Sequence, residues 1–162
     1  MLALVLLFGF LAGMITALVV VVCGVVMAVR HWRRSSARRL RAAAFLAVGV
    51  AIGVYAWGMA YTGMAVLEAE DGGTDSSPLR PCRGEADPAT VARVIDYRVG
   101  LVPLRFECHL TGGGSYTTSS VPGYVNPVAW MLGAAGLIGF MVSAASSKRP
   151  SRTSNDEAGA VL

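Results

Sequence analysis

The chain alternates between long apolar runs and polar segments. Residues 2–29, 42–67 and 125–146 carry no charged side chain and are mostly apolar. A bilayer core about 30 Å thick is crossed by roughly 20 helical residues. Because every backbone polar group in hydrocarbon needs a partner within the protein, each run predicts a transmembrane helix. The first two runs exceed the required length, which predicts tilt or a protruding end.

The polar segment 68–124 shows two patterns of its own. Its first part, 68–90, is rich in Gly, Ser, Pro and acidic residues, which is typical of a loop. From about 93 to 120, apolar and polar residues alternate, which predicts half-buried antiparallel strands. The fold class is therefore a mainly α membrane protein: three transmembrane helices with a small antiparallel β meander in a lobe between the second and third.

The alternation assigns individual side chains to the two faces of the predicted sheet. The expected inner positions are Ile95, Tyr97, Val99, Leu104, Phe106, Cys108 and Leu110. The expected outer positions on the second strand are Arg105, Glu107 and His109, a row that could contact a partner but is more simply a solvated face. Gly112, Gly113 and Gly114 predict a turn before a third strand in 115–120.

Composition supports a lipid environment. The chain is 54% hydrophobic and 15% charged, whereas soluble domains are about one-quarter charged. A net charge of +4 could suggest nucleic acid, but the basic residues flank the apolar runs instead of forming a basic face. No nucleic-acid partner is therefore predicted.

Charge asymmetry predicts the topology. The gap 30–41 has no acidic residue and contains six arginines, Arg30, Arg33, Arg34, Arg38, Arg39 and Arg41. The segment 68–124 has five arginines against eight acidic residues. Under the positive-inside rule, the gap and the tail 147–162, which we expect to be disordered, are cytoplasmic. The N-terminus and the segment 68–124 then lie outside a plasma membrane.

The gap arginines are expected to fix this topology and to contact lipid headgroups. The first run has no preceding positive charge and is longer than a signal-peptide core, so we expect an uncleaved helix.

The cysteines predict one disulfide. Cys82 and Cys108 both lie in the segment expected outside, where disulfides persist. A bridge closing a loop of this size would stabilise the lobe by roughly 3–4 kcal/mol. Cys108 and His109 are adjacent strand residues and so point to opposite faces, which disfavours a shared metal. No catalytic residue, metal site or cofactor is predicted.

The apolar runs contain no ionisable side chain, which disfavours ion or proton transport by the chain alone. They do contain small residues one turn apart, which allow close helix packing within the chain or against a partner: Gly9, Gly13, Gly49, Gly53, Gly139 and Ser143. Asn126 is expected to cap the third helix. Tyr124 and Trp130 are expected at the outer membrane interface.

The stretch PLRFECHLTGGGSYTTSSVPGYVNP leads directly into the third run, and the chain has thirteen arginines and one lysine. In both respects it resembles small multi-pass membrane proteins of high-GC actinobacteria. Those proteins have no known activity, so the resemblance implies no functional residue.

Three functional hypotheses follow. The favoured one is a non-enzymatic accessory or interaction protein whose outer lobe contacts an envelope or membrane protein. The second is a small-molecule sensor or oligomeric transport component, with a pore or cavity between protomers that is lined by Tyr55, Tyr61, Thr62 and the backbone at the glycines. The third is an extracytoplasmic thiol oxidoreductase.

Overall fold

The computed structural model describes residues 1–31, 36–70, 77–84 and 86–147. Four α-helices and three β-strands follow one another along the chain, with a 3₁₀ turn at Arg80–Cys82. In chain order they are α1 (Leu2–His31), α2 (Ser36–Glu70), the short α3 (Pro88–Val91), β1 (Val94–Leu101), β2 (Leu104–Leu110), β3 (Ser115–Thr117) and α4 (Val125–Ser147).

The helices α1, α2 and α4 are each long and apolar enough to cross a membrane. Helix α2 begins six residues before the apolar run 42–67 and ends three residues after it. Arg38, Arg39 and Arg41 therefore lie on the first turns of α2 and not in a loop. Arginine is a good helix former, so the helix continues where the apolar pattern stops. The predicted topology residues Arg33 and Arg34, and the tail from 148, lie outside the described residues.

Small residues lie where the long helices meet. A Cβ at Gly13 would be 2.8 Å from the Cβ of Ala56, and one at Gly49 would be 2.7 Å from a methyl of Val21. These contacts join α1 to α2 as an antiparallel pair. On the other side of α2, a Cβ at Gly139 would be 3.1 Å from the Cβ of Ala44. Absent side chains thus let both neighbours approach α2 closely.

The strands form one antiparallel sheet in the order β1-β2-β3, which confirms the predicted small sheet. Tyr97 pairs with Cys108, which pairs in turn with Tyr116 on β3. The turn between β2 and β3 depends on its glycines. Gly112, Gly113 and Gly114 all have φ between 87° and 100°, a conformation that other residues rarely adopt.

A β-bulge at Ile95 corrects the predicted inner face of β1. Val94 pairs with Leu110, and the next pair is Asp96 with His109, so Ile95 has no opposite residue. The extra residue reverses the alternation. Ile95 is consequently exposed, and Val94 takes the inner position that the simple period gives to Ile95.

The predicted disulfide is present and lies in the core of the lobe. Cys82 and Cys108 are joined, with their Cα atoms 6.2 Å apart, and both residues are fully buried. They pack in one cluster with Phe106 of β2, Val66 of α2 and Leu6 of α1. The inner face of the sheet is therefore covered by the start of α1 and the end of α2, and the lobe shares this core with the helices.

Asn126 was predicted to cap α4, but its side chain instead joins the lobe to this helix. Helix α4 begins at Val125, so Asn126 lies inside its first turn. Its Oδ1 accepts a hydrogen bond from the backbone N–H of Leu104, and its Nδ2 donates to the Leu104 carbonyl, both at 2.9 Å. The side-chain amide thus pairs with the start of β2 as a neighbouring strand would, and this competes with capping.

Candidate interaction surfaces

The outer face of the sheet carries the predicted row of polar side chains. Arg105 and Glu107 form an ion pair at 2.7 Å, and the Arg105 side chain is half exposed. Arg98 lies directly opposite Glu107 on β1. The Nε2 atom of His109 is buried and has no hydrogen-bond partner within the described part of the chain. Arg105 is therefore the most exposed member of this row, since Glu107 and His109 are both partly buried.

The Cys82–Cys108 bridge is shielded from solvent. Thiol–disulfide exchange requires access to a sulfur atom, and both cysteines of the bridge are fully buried. Among residues 1–31, 36–70, 77–84 and 86–147, no three His, Cys, Asp or Glu side chains are grouped as metal ligands. Cys23, the remaining cysteine, is an exposed free thiol on α1.

The three polar residues named for a cavity do not converge. The Tyr55 hydroxyl donates a hydrogen bond to the carbonyl oxygen of Leu101, at the end of β1. Thr62 is fully buried and donates to the Gly58 carbonyl of its own helix at 3.1 Å. Tyr61 is exposed and packs edge-on against Trp57. Within one copy of the chain they form no shared polar site.

Gly58 marks the level at which three elements meet on α2. A Cβ there would lie 2.6 Å from a methyl of Val125 and 2.7 Å from a methyl of Leu104. The start of α4 and the start of β2 therefore contact α2 at the same point. From Gly58 to its end at Glu70, α2 continues for twelve residues, or about 18 Å.

The outer parts of α1 and α2 thus extend together beyond the start of α4. One side of this extension packs against the sheet through Leu6 and Val66. The other side exposes large apolar side chains, each between 51% and 68% accessible, which we call the tip patch: Leu4, Leu7, Phe8, Met64 and Leu67. Large exposed apolar patches mark sites of contact with proteins or membranes.

Exposed aromatic side chains gather near the level of Gly58. Tyr124 precedes α4 and Trp130 lies in its second turn, and both are more than half exposed. On α2, Trp57 lies one residue before Gly58 and Tyr61 three residues after it, with ring centroids 5.7 Å apart. Tyr and Trp are enriched at membrane–water interfaces, because their rings have an apolar body and a polar group.

The described arginines of the predicted gap lie at the opposite end of the long helices. Arg30 is on the last turn of α1, and Arg38, Arg39 and Arg41 are on the first turns of α2. Arg41 donates a hydrogen bond from Nε to the Oγ of Ser143 at 3.2 Å, which links α2 to α4. Ser143 is buried. Its small side chain therefore also serves a polar contact between helices.

A cavity of about 560 Å³ lies between α1 and α4 on one side of α2, and it opens to the surface, since Val102, Trp130 and Leu137 on its walls are more than half exposed. Its walls are almost entirely apolar, and the turn between β1 and β2 covers its outer end through Val102 and Pro103. Tyr55 contributes the hydroxyl described above. We call this space the outer cavity.

Sequence patterns did not identify the tip patch or the outer cavity. The first two runs are longer than a membrane requires, and this excess was the available signal for the tip. The cavity had no comparable signal, because residues from α1, α2, α4 and a strand turn line it.

No family model, curated protein or solved structure matches this chain.

Proposed function

We propose that this protein is a non-enzymatic, multi-pass plasma-membrane protein that presents its lobe and the tip patch to a partner membrane protein. Helices α1, α2 and α4 cross the bilayer. The lobe and the start of α1 lie outside, and the arginine-rich segment 30–41 and the tail lie in the cytoplasm.

The arrangement of charged and aromatic residues supports this orientation. Arg41 is near one end of α2, whereas Trp57 and Tyr61 lie 16 and 20 residues further along. At 1.5 Å per residue, the two levels are roughly 25–30 Å apart, close to the thickness of the hydrocarbon core. A membrane-spanning helix is expected to have arginines at its cytoplasmic end and aromatic rings at its outer end.

The tip patch is the observation that carries the proposed interaction. Gly9 packs at Met59 and Gly63 at Leu6, so Leu7 and Phe8 lie at the aromatic level. With that level as the outer boundary, Leu4, Met64 and Leu67 lie beyond it, and the tip patch faces away from the sheet. Burying one such side chain contributes about 1.5–3 kcal/mol. A partner that covered them would therefore gain a substantial hydrophobic contribution to binding.

The rigidity of the lobe supports the same function. The disulfide, the Phe106 cluster and the two Asn126 hydrogen bonds fix the sheet against α2 and α4. A partner would therefore meet the tip patch and the sheet edges in a fixed arrangement, which lowers the entropy cost of binding. A sensor of polar molecules is less well supported, because the outer cavity is apolar.

Site-specific photocrosslinking in native membranes tests the proposal. Benzoylphenylalanine replaces Phe8 or Leu67 in the tip patch and, as the matched control, Ile138. Ile138 is comparably exposed, but it lies in the middle of α4. We expect a discrete protein adduct from Phe8 and Leu67, and lipid adducts from Ile138. Phe8→Asp should remove the Leu67 adduct and the co-purification of the same partner.

The crosslinks also distinguish the main alternative. If a strongly tilted bundle buried the tip in the bilayer, Phe8, Leu67 and Ile138 would all give lipid adducts, which would contradict the proposed interaction. A protein adduct identified as a second copy of this chain would make the partner homo-oligomeric.

A further inference from the structure

The outer cavity separates two helices that both pack against α2. Its α4 wall extends from Ala129 to Leu137, and its α2 wall from Ala51 to Met59. Each wall covers eight helical steps, or about 12 Å. A lipid leaflet contributes roughly 15 Å of hydrocarbon, half of the bilayer core. The cavity begins one turn below the start of α4, so it lies within the outer leaflet of the proposed membrane.

The glycines that line the outer cavity differ in whether a neighbouring helix fills the space beside them. Cβ atoms at Gly9 and Gly13 would lie 2.4 Å and 2.8 Å from side chains of α2, so helix packing uses that space. A Cβ at Gly133 would meet no atom within 4 Å. Gly133 therefore leaves room in the cavity itself.

The turn between β1 and β2 forms a roof over the outer cavity and restricts what can occupy it. The turn between β1 and β2 is held at both ends, since the Tyr55 hydroxyl binds the Leu101 carbonyl and the Asn126 amide binds both backbone groups of Leu104. A helix with its side chains is about 10–12 Å across. One that crossed the membrane here would meet the roof. A hydrocarbon chain that ends at the outer interface would not.

We propose that the outer cavity holds one hydrocarbon chain of an outer-leaflet glycerophospholipid. Its volume falls within the range of small-molecule sites, and its apolar walls match a lipid chain. The bound chain supports the underside of the lobe by filling the space between the turn and the helices. This inference rests on the proposed membrane insertion but not on the proposed protein partner.

Native mass spectrometry of the full chain tests the inference. The protein is delipidated in mild detergent and incubated with dipalmitoyl phosphatidylglycerol. Ala134→Phe fills the cavity, and Ala135→Phe is the matched control, because Ala135 is an exposed neighbour that does not line the cavity. We expect one lipid per wild-type chain, about tenfold lower retention in Ala134→Phe, and no change in Ala135→Phe.

Equal lipid retention by Ala134→Phe and the wild type would overturn the inference. Equal loss of lipid in both variants would also overturn it, because the lipid would then be bound nonspecifically at the surface. Both variants are first checked for the Cys82–Cys108 bridge and for monodispersity.

A second measurement uses the wild type alone, so that a misfolded variant does not decide the outcome. Phosphatidylglycerol with a photoreactive diazirine in its chain is crosslinked in reconstituted bilayers. Adducts should concentrate on the cavity walls at 51–59 and 129–137, near Gly133. Equal labelling of exposed positions outside the cavity, such as Met131 and Ile138, would contradict a specific site. Release of the protein from native membranes by alkaline carbonate would instead refute membrane insertion itself.

Discussion

Tyr97 joins the sheet to the end of α2 through a single hydroxyl. That hydroxyl donates to Oε1 of Glu70 at 2.8 Å, and the ring stacks on Phe106 with centroids 5.2 Å apart. Burial and, to a lesser extent, the Glu70 carboxylate raise the pKa of Tyr97 from 10.0 to about 12. The neutral hydroxyl therefore remains a donor across the physiological pH range.

The raised pKa predicts a stability change at alkaline pH. Between pH 10 and about 12 the folded protein keeps the Tyr97 proton, whereas the unfolded chain loses it. The folded state binds more protons in this window, so its stability falls as pH rises through it, and the contribution is complete below pH 10. Thermal unfolding should show this decline in the wild type, and a weaker one in Tyr97→Phe.

NMR of ¹³Cζ-labelled tyrosine measures the titration directly, with the Tyr97 signal assigned by its loss in Tyr97→Phe. Glu70→Gln should lower the pKa only partly, because burial is the larger cause of the shift. A Tyr97 pKa near 10 in the wild type would contradict the partly buried, Glu70-bonded arrangement.

At the residue scale, the sequence was most informative where the strand period was regular. Leu104, Phe106 and Cys108 are buried as their alternation predicted. Ile95 was assigned to the wrong face, because a bulge adds one residue without a sequence signal. Asn126 is common at caps, and its pairing with Leu104, 22 positions away, depends on the tertiary fold.

At the scale of the elements, Gly58 allows α2, β2 and α4 to meet at one point. A Cβ at this position would lie 2.6 Å and 2.7 Å from methyl groups of Val125 and Leu104, both of which are fully buried. Gly53 is five residues away on the same helix, and a Cβ there would make an ordinary 3.6 Å contact with Ala17. The two glycines therefore form a matched pair.

We expect Gly58→Ala to destabilise the protein by about 1–3 kcal/mol, because overpacking displaces buried neighbours. Gly53→Ala should be neutral or slightly stabilising, because alanine lowers the conformational entropy of the unfolded chain. Unfolding in mixed detergent micelles measures both changes. Equal effects of the two substitutions would contradict the close contact at Gly58.

The sequence predicted that the long elements exist and that they are helices, since uncharged runs of more than 20 residues have few structural alternatives. Their ends did not. Helix α2 extends to Ser36 and Glu70 because helix formation continues beyond the apolar run. The packing of the sheet along α2 was also not predictable, since it depends on contacts such as Leu104 with Gly58 that join distant parts of the chain.

At the scale of the whole molecule, the lobe and the helices share one core. Phe106 and the disulfide pack directly on the outer turns of α1 and α2. In the proposed membrane arrangement, the side that contains the lobe therefore also contains the start of α1, and one measurement of orientation tests both.

Cysteine labelling tests that orientation. Thr117→Cys places a thiol on exposed β3, and Ser36→Cys places one at the exposed start of α2, each in a Cys23→Ser background. With the positive-inside arrangement, a membrane-impermeant maleimide should label Thr117→Cys in intact cells and Ser36→Cys only after permeabilisation. Cys82 and Cys108 should stay unlabelled, because they are bridged and buried. The reverse pattern would place the lobe in the cytoplasm, where a persistent disulfide is not expected. It would refute the proposed topology and, with it, an extracytoplasmic partner for the tip patch.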